Sequence, residues 1–373
     1  MPALLRTILV LCILAAATLL QAASMPRPNV QVEVIARGLE TPWAIAFSPD
    51  GRIFFTERPG RIRVIKNGAL EKDPWMQIDV HERGEAGLLG LAVDPDFQRN
   101  RFLYAAHTYR DGNGKPKNRL VRLREDAFTG KGILDKVLLD NVVGANNHDG
   151  GRVKFGPDGK VYWTTGDAQT TRFAQNLSSL NGKILRLNPD GMIPPDNPFP
   201  KSPVYSYGHR NSEGLAWHPG SARLYATEHG PSGFQGCCLD EINLIEAGKN
   251  YGWPEIRGDE KREGMISPVL HSGTSDTWAP GGATFVTRGP TGHPWSGSLL
   301  FTGLRGQTLY RVVFDANDPR KVATFERFFV REYGRLRDVA EAPDGAIYIL
   351  TSNRDGRGKP SADDDRVLRL VFK

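Results

Sequence analysis

The chain is short of cysteine, of like-charge runs and of long apolar stretches, and each shortage removes a class of protein. It has 3 cysteines in 373 residues, and two of them, Cys237 and Cys238, are neighbours. Adjacent cysteines cannot tie distant elements together, so a disulfide-framework fold is excluded. In an oxidising compartment the pair either closes a vicinal disulfide or stays as two buried thiols, and both readings stand. The formal charge is +6, but the basic residues are scattered, with no polybasic run and no stripe interleaved with aromatics. That excludes a nucleic-acid surface. Beyond the first two dozen residues nothing approaches the ~20 apolar residues a membrane span requires. No long amphipathic helix is legible either. Turn formers are plentiful instead, with 41 glycines and 26 prolines, and these point to short strands joined by many turns.

The N-terminus reads as a separate object. Arg6 precedes an apolar run from Thr7 to Leu20, and the small residues Ala22, Ala23 and Ser24 follow. This order of positive, apolar and small-residue zones predicts a secretory signal peptide over 1–24, cut between Ala22 and Met25. The expected mature protein is one domain over 25–373 without a membrane span, periplasmic or secreted.

Within that domain one phrase recurs. "SPDGRIFFTE" begins at Ser48, and variants follow at Asp94, Gly156, His218, His293 and Ala342, roughly 45 to 75 residues apart. Each couples a strand to a Pro-Asp-Gly type turn and a second alternating strand, and another apolar segment such as "RIRVI" or "KILRL" comes after it. Six such meanders predict an all-β, six-bladed β-propeller with four-stranded antiparallel blades. A leading strand without a blade of its own, "VQVEVIARG", is expected to pair with the terminal "RVLRLVF" and close the ring.

Propellers carry chemistry on the loops at one mouth of the channel. His148, in the glycine-rich "NNHDGGRVKF", has the side chain suited to taking a hydroxyl proton near neutral pH, with Asp149 beside it to orient the ring. The plainer alternative is a surface or capping histidine. Arg210 with Asn211, Arg305, and the alternating pair Arg335 and Arg337 fall at comparable blade positions, which suggests a cationic ring for a polycarboxylate. In "EHGP", Pro231 has no N–H for a ladder, so backbone carbonyls there are free to bind a hard cation. Asp240, Glu241 and Asp259 lie near in sequence, either as metal ligands or as a solvated acidic loop.

Taken in order, "GLETPWAIAFSPDG", "GEAGLLGLAVDPDF", "NNHDGGRVKFGPDGKVY", "YGHRNSEGLAW", "EHGP", "GKNYGWP" and "RLRDV" resemble the soluble aldose sugar dehydrogenases that depend on pyrroloquinoline quinone (PQQ), relatives of soluble glucose dehydrogenase. The resemblance spans essentially the whole mature chain. It implies oxidation of an aldose to its lactone, with PQQ and Ca²⁺ as cofactors and an external electron acceptor, a cytochrome or a quinone. It implies that His148 is the base, that Arg210 stabilises charge on the quinone, and that Asn211, Arg335 and Arg337 hold the cofactor. It further implies that the carbonyls of Gly230 and Pro231 bind the catalytic Ca²⁺, and that Glu241, Tyr251, Arg257 and Asp259 form a second, structural Ca²⁺ site. Three features depart from the pattern, one of them the Cys237–Cys238 pair, which lies beside the calcium loop where no cysteines are expected. Arg305 stands where relatives have a cofactor-binding lysine, and Glu85 where they have a glutamine near the substrate. The short loops suggest an open pocket and a monomer or weak homodimer. The rival readings are a calcium-dependent propeller lactonase or esterase and a non-catalytic binding propeller.

Overall fold

The computed structural model describes residues 30–232, 236–288 and 293–372, so the expected signal peptide lies outside the described residues. After a first strand β1 (Val30–Ala36), six sheets follow one another along the chain. Blade 1 holds β2 (Pro42–Phe47), β3 (Ile53–Glu57), β4 (Arg61–Lys66) and β5 (Ala69–Leu70), with β6 (Met76–Gln77) as an extra strand on β4. Blade 2 is β7 (Leu88–Val93), β8 (Phe102–Arg110), β9 (Pro116–Glu125) and β10 (Gly132–Val143), and blade 3 is β11 (Val153–Phe155), β12 (Val161–Thr165), β13 (Lys183–Leu187) and β14 (Val204–Tyr207). Blade 4 comprises β15 (Ser212–Trp217), β16 (Leu224–Glu228), β17 (Glu241–Ile245) and β18 (Leu270–His271). Blade 5 comprises β19 (Pro280–Phe285), β20 (Leu299–Gly303), β21 (Thr308–Phe314) and β22 (Val322–Phe328). Blade 6 is β23 (Leu336–Glu341), β24 (Ile347–Thr351) and β25 (Val367–Phe372), completed by β1 in the register Val30 to Phe372. The expected propeller and its closure are both observed.

Local chemistry explains the repeated turn. Asp158 and Asp344 each accept the amide two residues on, from Lys160 and Ala346, and the glycine between adopts the left-handed conformation. This is how an Asp-Gly pair reverses a strand with least strain. Packing then assembles the ring. Six buried apolar clusters each join neighbouring blades; one sets Trp43 and Phe54 of blade 1 against Leu88 and Leu103 of blade 2, and another sets Ile45 and Phe55 against Leu350 of blade 6. A ring in which every blade packs both faces on its neighbours leaves only the outermost strand of each blade as an edge.

One irregularity recurs where it matters for function. In five of the six blades the ladder between the first two strands slips near the first strand's start, as between Ser212 and Gly214 or between Leu336 and Asp338. Bulges re-aim side chains, and these lie at the mouth where the polar loops converge. Below that mouth, the channel is plugged by fully buried Arg152, which donates to Asp338 Oδ2 at 3.0 Å and to the Glu213 carbonyl at 2.7 Å, 4.4 Å over the Trp43 ring. Only glycine fits at 282, because a Cβ there would fall 1.6 Å from Asp338 Oδ1.

Candidate active site

The plug turns the channel mouth into a cup of about 510 Å³, and His148 stands on its wall. A larger groove of about 730 Å³ lies at the outer edge of blades 1 and 2, but its charges are spent on one another, as in Arg52 with Asp50 and Glu125. The chemistry is therefore sought in the smaller cup.

His148 occupies the left-handed region (φ 62°), unusual for a residue with a side chain. Two contacts hold it there: its amide donates to Glu85 Oε2 at 2.9 Å, and its carbonyl accepts the Ala168 amide at 3.1 Å. Its ring Nδ1 lies 2.8 Å from Asp167 Oδ1, not near Asp149. Asp167 is fully buried and also accepts from the Gln169 amide (2.8 Å) and Trp253 Nε1 (2.9 Å). A carboxylate that already takes two donors fixes the imidazole with Nδ1 protonated, leaving the Nε2 lone pair for the cup. Asp167 was not singled out in the sequence; its one signal is an acidic residue just beyond an alternating strand, in "YWTTGDAQ".

Asp149 points the other way. Its Oδ1 accepts from Asn118 Nδ2 (2.8 Å) and the Ala145 amide (2.9 Å), and it neither orients His148 nor lines the cup. Burial first, and then the nearby carboxylates Glu85 and Glu213, push its carboxyl up to about 7. The folded state thus keeps a proton that the unfolded chain releases near pH 4, so Asp149 lowers stability as pH rises from about 4 to about 7. Asn fits the same bonds, since Oδ2 has no partner. Asp149→Asn is expected to stabilise the apoprotein by about 1–3 kcal/mol at pH 8 and by much less at pH 5. Urea unfolding at both pH values checks this, and an equal effect at the two would refute it.

The cationic set is present in a revised arrangement. Arg210, Arg335 and Arg337 are buried and line the cup. Arg210 lies 5.4 Å over the Trp253 ring, Arg335 Nε donates to Asp355 Oδ2 at 2.8 Å, and Arg337 pairs with Glu213 Oε2. Burial would raise the Glu213 carboxyl, but Arg337 and His229 overcome it and hold it at about 2. His229 is raised in turn: burial opposes its charge, and Glu213 outweighs burial. Arg305 also lines the cup, but from the exposed turn between β20 and β21 rather than from a position equivalent to Arg335. Asn211 is buried beneath the cup, its amide spent on the Gly150 amide and on Glu213, so it supports the His148 loop instead of facing the cavity. Glu85 does face the cavity and is bound at 2.7 Å by Arg357, a residue the sequence reading had passed over.

Gly230 and Pro231 lie two and three residues past β16 and line the same cup. A Cβ at 230 would fall 1.9 Å from the Cys238 carbonyl oxygen and 2.3 Å from that of Leu239, so the chain can pass only as glycine. Asp240 staples this region: Oδ1 accepts the Gly230 amide, and Oδ2 accepts the amides of Trp278 and Ala279 and the Thr277 hydroxyl. Among the described residues no hydrogen bond reaches the carbonyl oxygens of Gly230 or Pro231. Neutral oxygens facing a cavity beside a buried carboxylate suit a hard divalent cation. The neighbouring Cys237 and Cys238 are joined as a vicinal disulfide, the first of the two readings.

The expected second metal set does not converge through its side chains. Glu241, Tyr251 and Arg257 line one small cavity under Gly230, but the Tyr251 hydroxyl is spent on Leu244 and Glu246, and Asp259 points to solvent, bound to His271. Burial first and Glu228 second push the Glu241 carboxyl up to about 8. Among the described residues no cluster of three or more His, Cys, Asp or Glu side chains is placed to hold a metal. No helix among the described residues is long and apolar enough to cross a membrane.

Comparison with known proteins bears on what such a cup does. Residues 39–365 match the family described as glucose / sorbosone dehydrogenase. The chain is 32% identical over 351 residues to an aldose sugar dehydrogenase of Escherichia coli, covering 88% of this chain and 91% of that one. It is 32% identical over 446 residues to quinoprotein glucose dehydrogenase B of Acinetobacter calcoaceticus, covering 94% and 91%. Among solved structures, the PQQ-bound aldose sugar dehydrogenase of Streptomyces coelicolor superimposes with a TM-score of 0.81 at 36% identity, over 94% of this chain and all of that one.

Proposed function

This chain belongs to the glucose / sorbosone dehydrogenase family, and from that premise we propose that it oxidises aldose sugars to lactones with PQQ and Ca²⁺, passing electrons to an external acceptor. The observation that carries the reading is His148: its Nδ1 is held by Asp167, its opposite nitrogen is free for a substrate, and arginines and unengaged carbonyls share its cup. A calcium-dependent lactonase could use a histidine base and a carbonyl-bound cation but has no use for the arginine set, and family membership weighs against that rival and against a binding propeller.

The residues have separable tasks. Arg305, Arg335 and Arg337 would hold the carboxylates of the cofactor, and the carbonyls of Gly230 and Pro231 would hold Ca²⁺. When bound, the quinone supplies a hydride acceptor and the cation a Lewis acid that makes it more electrophilic. His148 Nε2 takes the proton of the anomeric hydroxyl, so that the sugar carbon can release hydride as the C1–O bond gains carbonyl character. Asp167 steadies the imidazolium formed, and Arg210 would offer its positive charge to the quinone oxygens of the bound cofactor. With residues 1–24 read as a leader, we place this chemistry in the periplasm or outside the cell.

The test is reconstitution. The chain, given PQQ and Ca²⁺ together, is expected to reduce a dye acceptor on addition of a neutral aldose, and to lose that activity when EGTA or omission of PQQ removes either cofactor. Absence of quinone uptake, followed by absorbance in the presence of Ca²⁺, would overturn the reading.

A further inference from the structure

Arg357 belongs to the loop of the closing blade between β24 and β25, yet its guanidinium ends beside the base of blade 3. Nη1 donates to Glu85 Oε1 at 2.7 Å, and Nη2 donates to Asn147 Oδ1 at 2.9 Å. The other oxygen of Glu85, Oε2, accepts the amide of His148 at 2.9 Å. One carboxylate therefore bridges a cation from blade 6 and the peptide of the residue in the left-handed conformation. The Glu85 amide donates to the Asn146 carbonyl at 2.7 Å, which ties the same two loops a second time. On the far side, Asp355 accepts both the Arg357 amide (2.9 Å) and Arg335 Nε (2.8 Å).

An exposed ion pair would contribute little. Here the acid is 17% exposed and the arginine 52%, and the acid accepts the amide of a residue in the left-handed conformation, so removal of the cation leaves that mostly buried carboxylate without its charge partner. Two other charges face Glu85 across the cup: Glu213 opposes its ionisation, as burial does, while His229 and Arg357 favour it, and the balance holds the carboxyl below its usual range.

We propose that Arg357 is a positioning residue for the base: through Glu85 it holds the His148 peptide, and through Asp355 it connects that loop to Arg335. The role in turnover rests on the dehydrogenase reading, but the tie itself does not. A salt bridge from blade 6 that braces a base on blade 3 also accounts for the acid at position 85, because a glutamine could accept the His148 amide but could not neutralise Arg357.

The test uses the full chain with four single variants and one double variant. Arg357→Ala is expected to lower kcat about tenfold for a neutral aldose while KM changes less than about threefold. Arg357→Lys keeps the charge but cannot reach both Oε1 and Asn147, so it is expected to recover part of that loss. Glu85→Gln, which still accepts the amide, should lose less than Glu85→Ala, and Arg357→Ala should cost little more in the Glu85→Gln background. Independently of turnover, hydrogen exchange of peptides covering 144–151 in the apoprotein should quicken at least about fivefold in Arg357→Ala, with other blades unchanged. A loss confined to KM would make Arg357 a substrate contact and overturn the proposal; so would unchanged exchange in 144–151, or quickened exchange throughout. An inactive wild type with locally quickened exchange in the variant would instead defeat the dehydrogenase reading and leave the tie standing.

Discussion

Replacing His148 with asparagine is expected to lower kcat by at least about two orders of magnitude with little change in quinone uptake. Asparagine is the informative choice because it tolerates the left-handed conformation that His148 adopts, so the loop is preserved. His148→Ala should give the same loss with added strain. General-base assistance contributes about 10²–10⁴ in rate, which sets the size of the effect. The cofactor-side residues are distinct from the imidazole: Arg335 is anchored on Asp355, Arg337 on Glu213, and Arg210 lies over Trp253. Uptake of PQQ, followed by absorbance with Ca²⁺ present, should therefore be unaltered, and the defect should appear in turnover alone. A variant that keeps more than a fifth of wild-type kcat would show that the proton is taken elsewhere. The carboxylates facing the cup are poor substitutes. Glu213 is held near 2 by Arg337 and His229, and Glu85 is held below its usual range with Arg357 upon it, so neither is matched to a proton released near neutral pH.

How far the sequence discloses this site depends on the range of the interaction. The blades were legible because their signal is local: an Asp accepts the amide two residues on and a Gly turns left-handed, a chemistry complete within four residues. Ring closure was legible by elimination, since 30–36 had no blade of its own. His148 was legible from a polar, glycine-rich loop at a blade mouth. Its partner was not, because Asp167 is 19 positions away and meets the ring only after β11 and β12 have paired. Asp149, chosen for adjacency, faces the opposite side of the chain and is captured by Asn118 of β9. The same distinction separates charge from direction elsewhere. Arg305 was matched with Arg335 as a cofactor contact and Asp259 with Glu241 as a metal ligand, yet one sits on a different turn of its blade from the arginine it was matched with, and the other points to water. Arg357 gave no signal at all, since a basic residue in a glycine-rich loop is ordinary until the ring closes and that loop of blade 6 reaches across the mouth to the loops that precede blades 2 and 3.

Asp167→Asn should be nearly as damaging, with kcat lower by about two to three orders of magnitude, and its cause can be read in the nitrogen that bears the proton. Asp167 accepts three donors: His148 Nδ1–H and the Gln169 amide at Oδ1, and Trp253 Nε1–H at Oδ2. An asparagine offers one acceptor and one donor group in their place. If its oxygen faces His148, its NH₂ opposes the Trp253 N–H in a fully buried setting, at a cost of about 1–3 kcal/mol. If it flips, the NH₂ donates to His148 Nδ1, and the ring proton moves to Nε2, the atom that must be bare to accept the substrate's proton. Either arrangement also removes the anion that steadies the imidazolium formed in the reaction. Imidazole ¹⁵N spectra of the apoprotein, assigned with His148→Asn, should show Nδ1–H in the wild type and a shift toward Nε2–H in Asp167→Asn. Trp253→Phe separates the two contributions, because it takes away a donor to Asp167 but leaves the Asp167–His148 bond, and its kcat should stay within about tenfold of wild type. Full activity in Asp167→Asn, or a tautomer unchanged by it, would mean that the 2.8 Å contact to His148 is structural and that the base is oriented by other means.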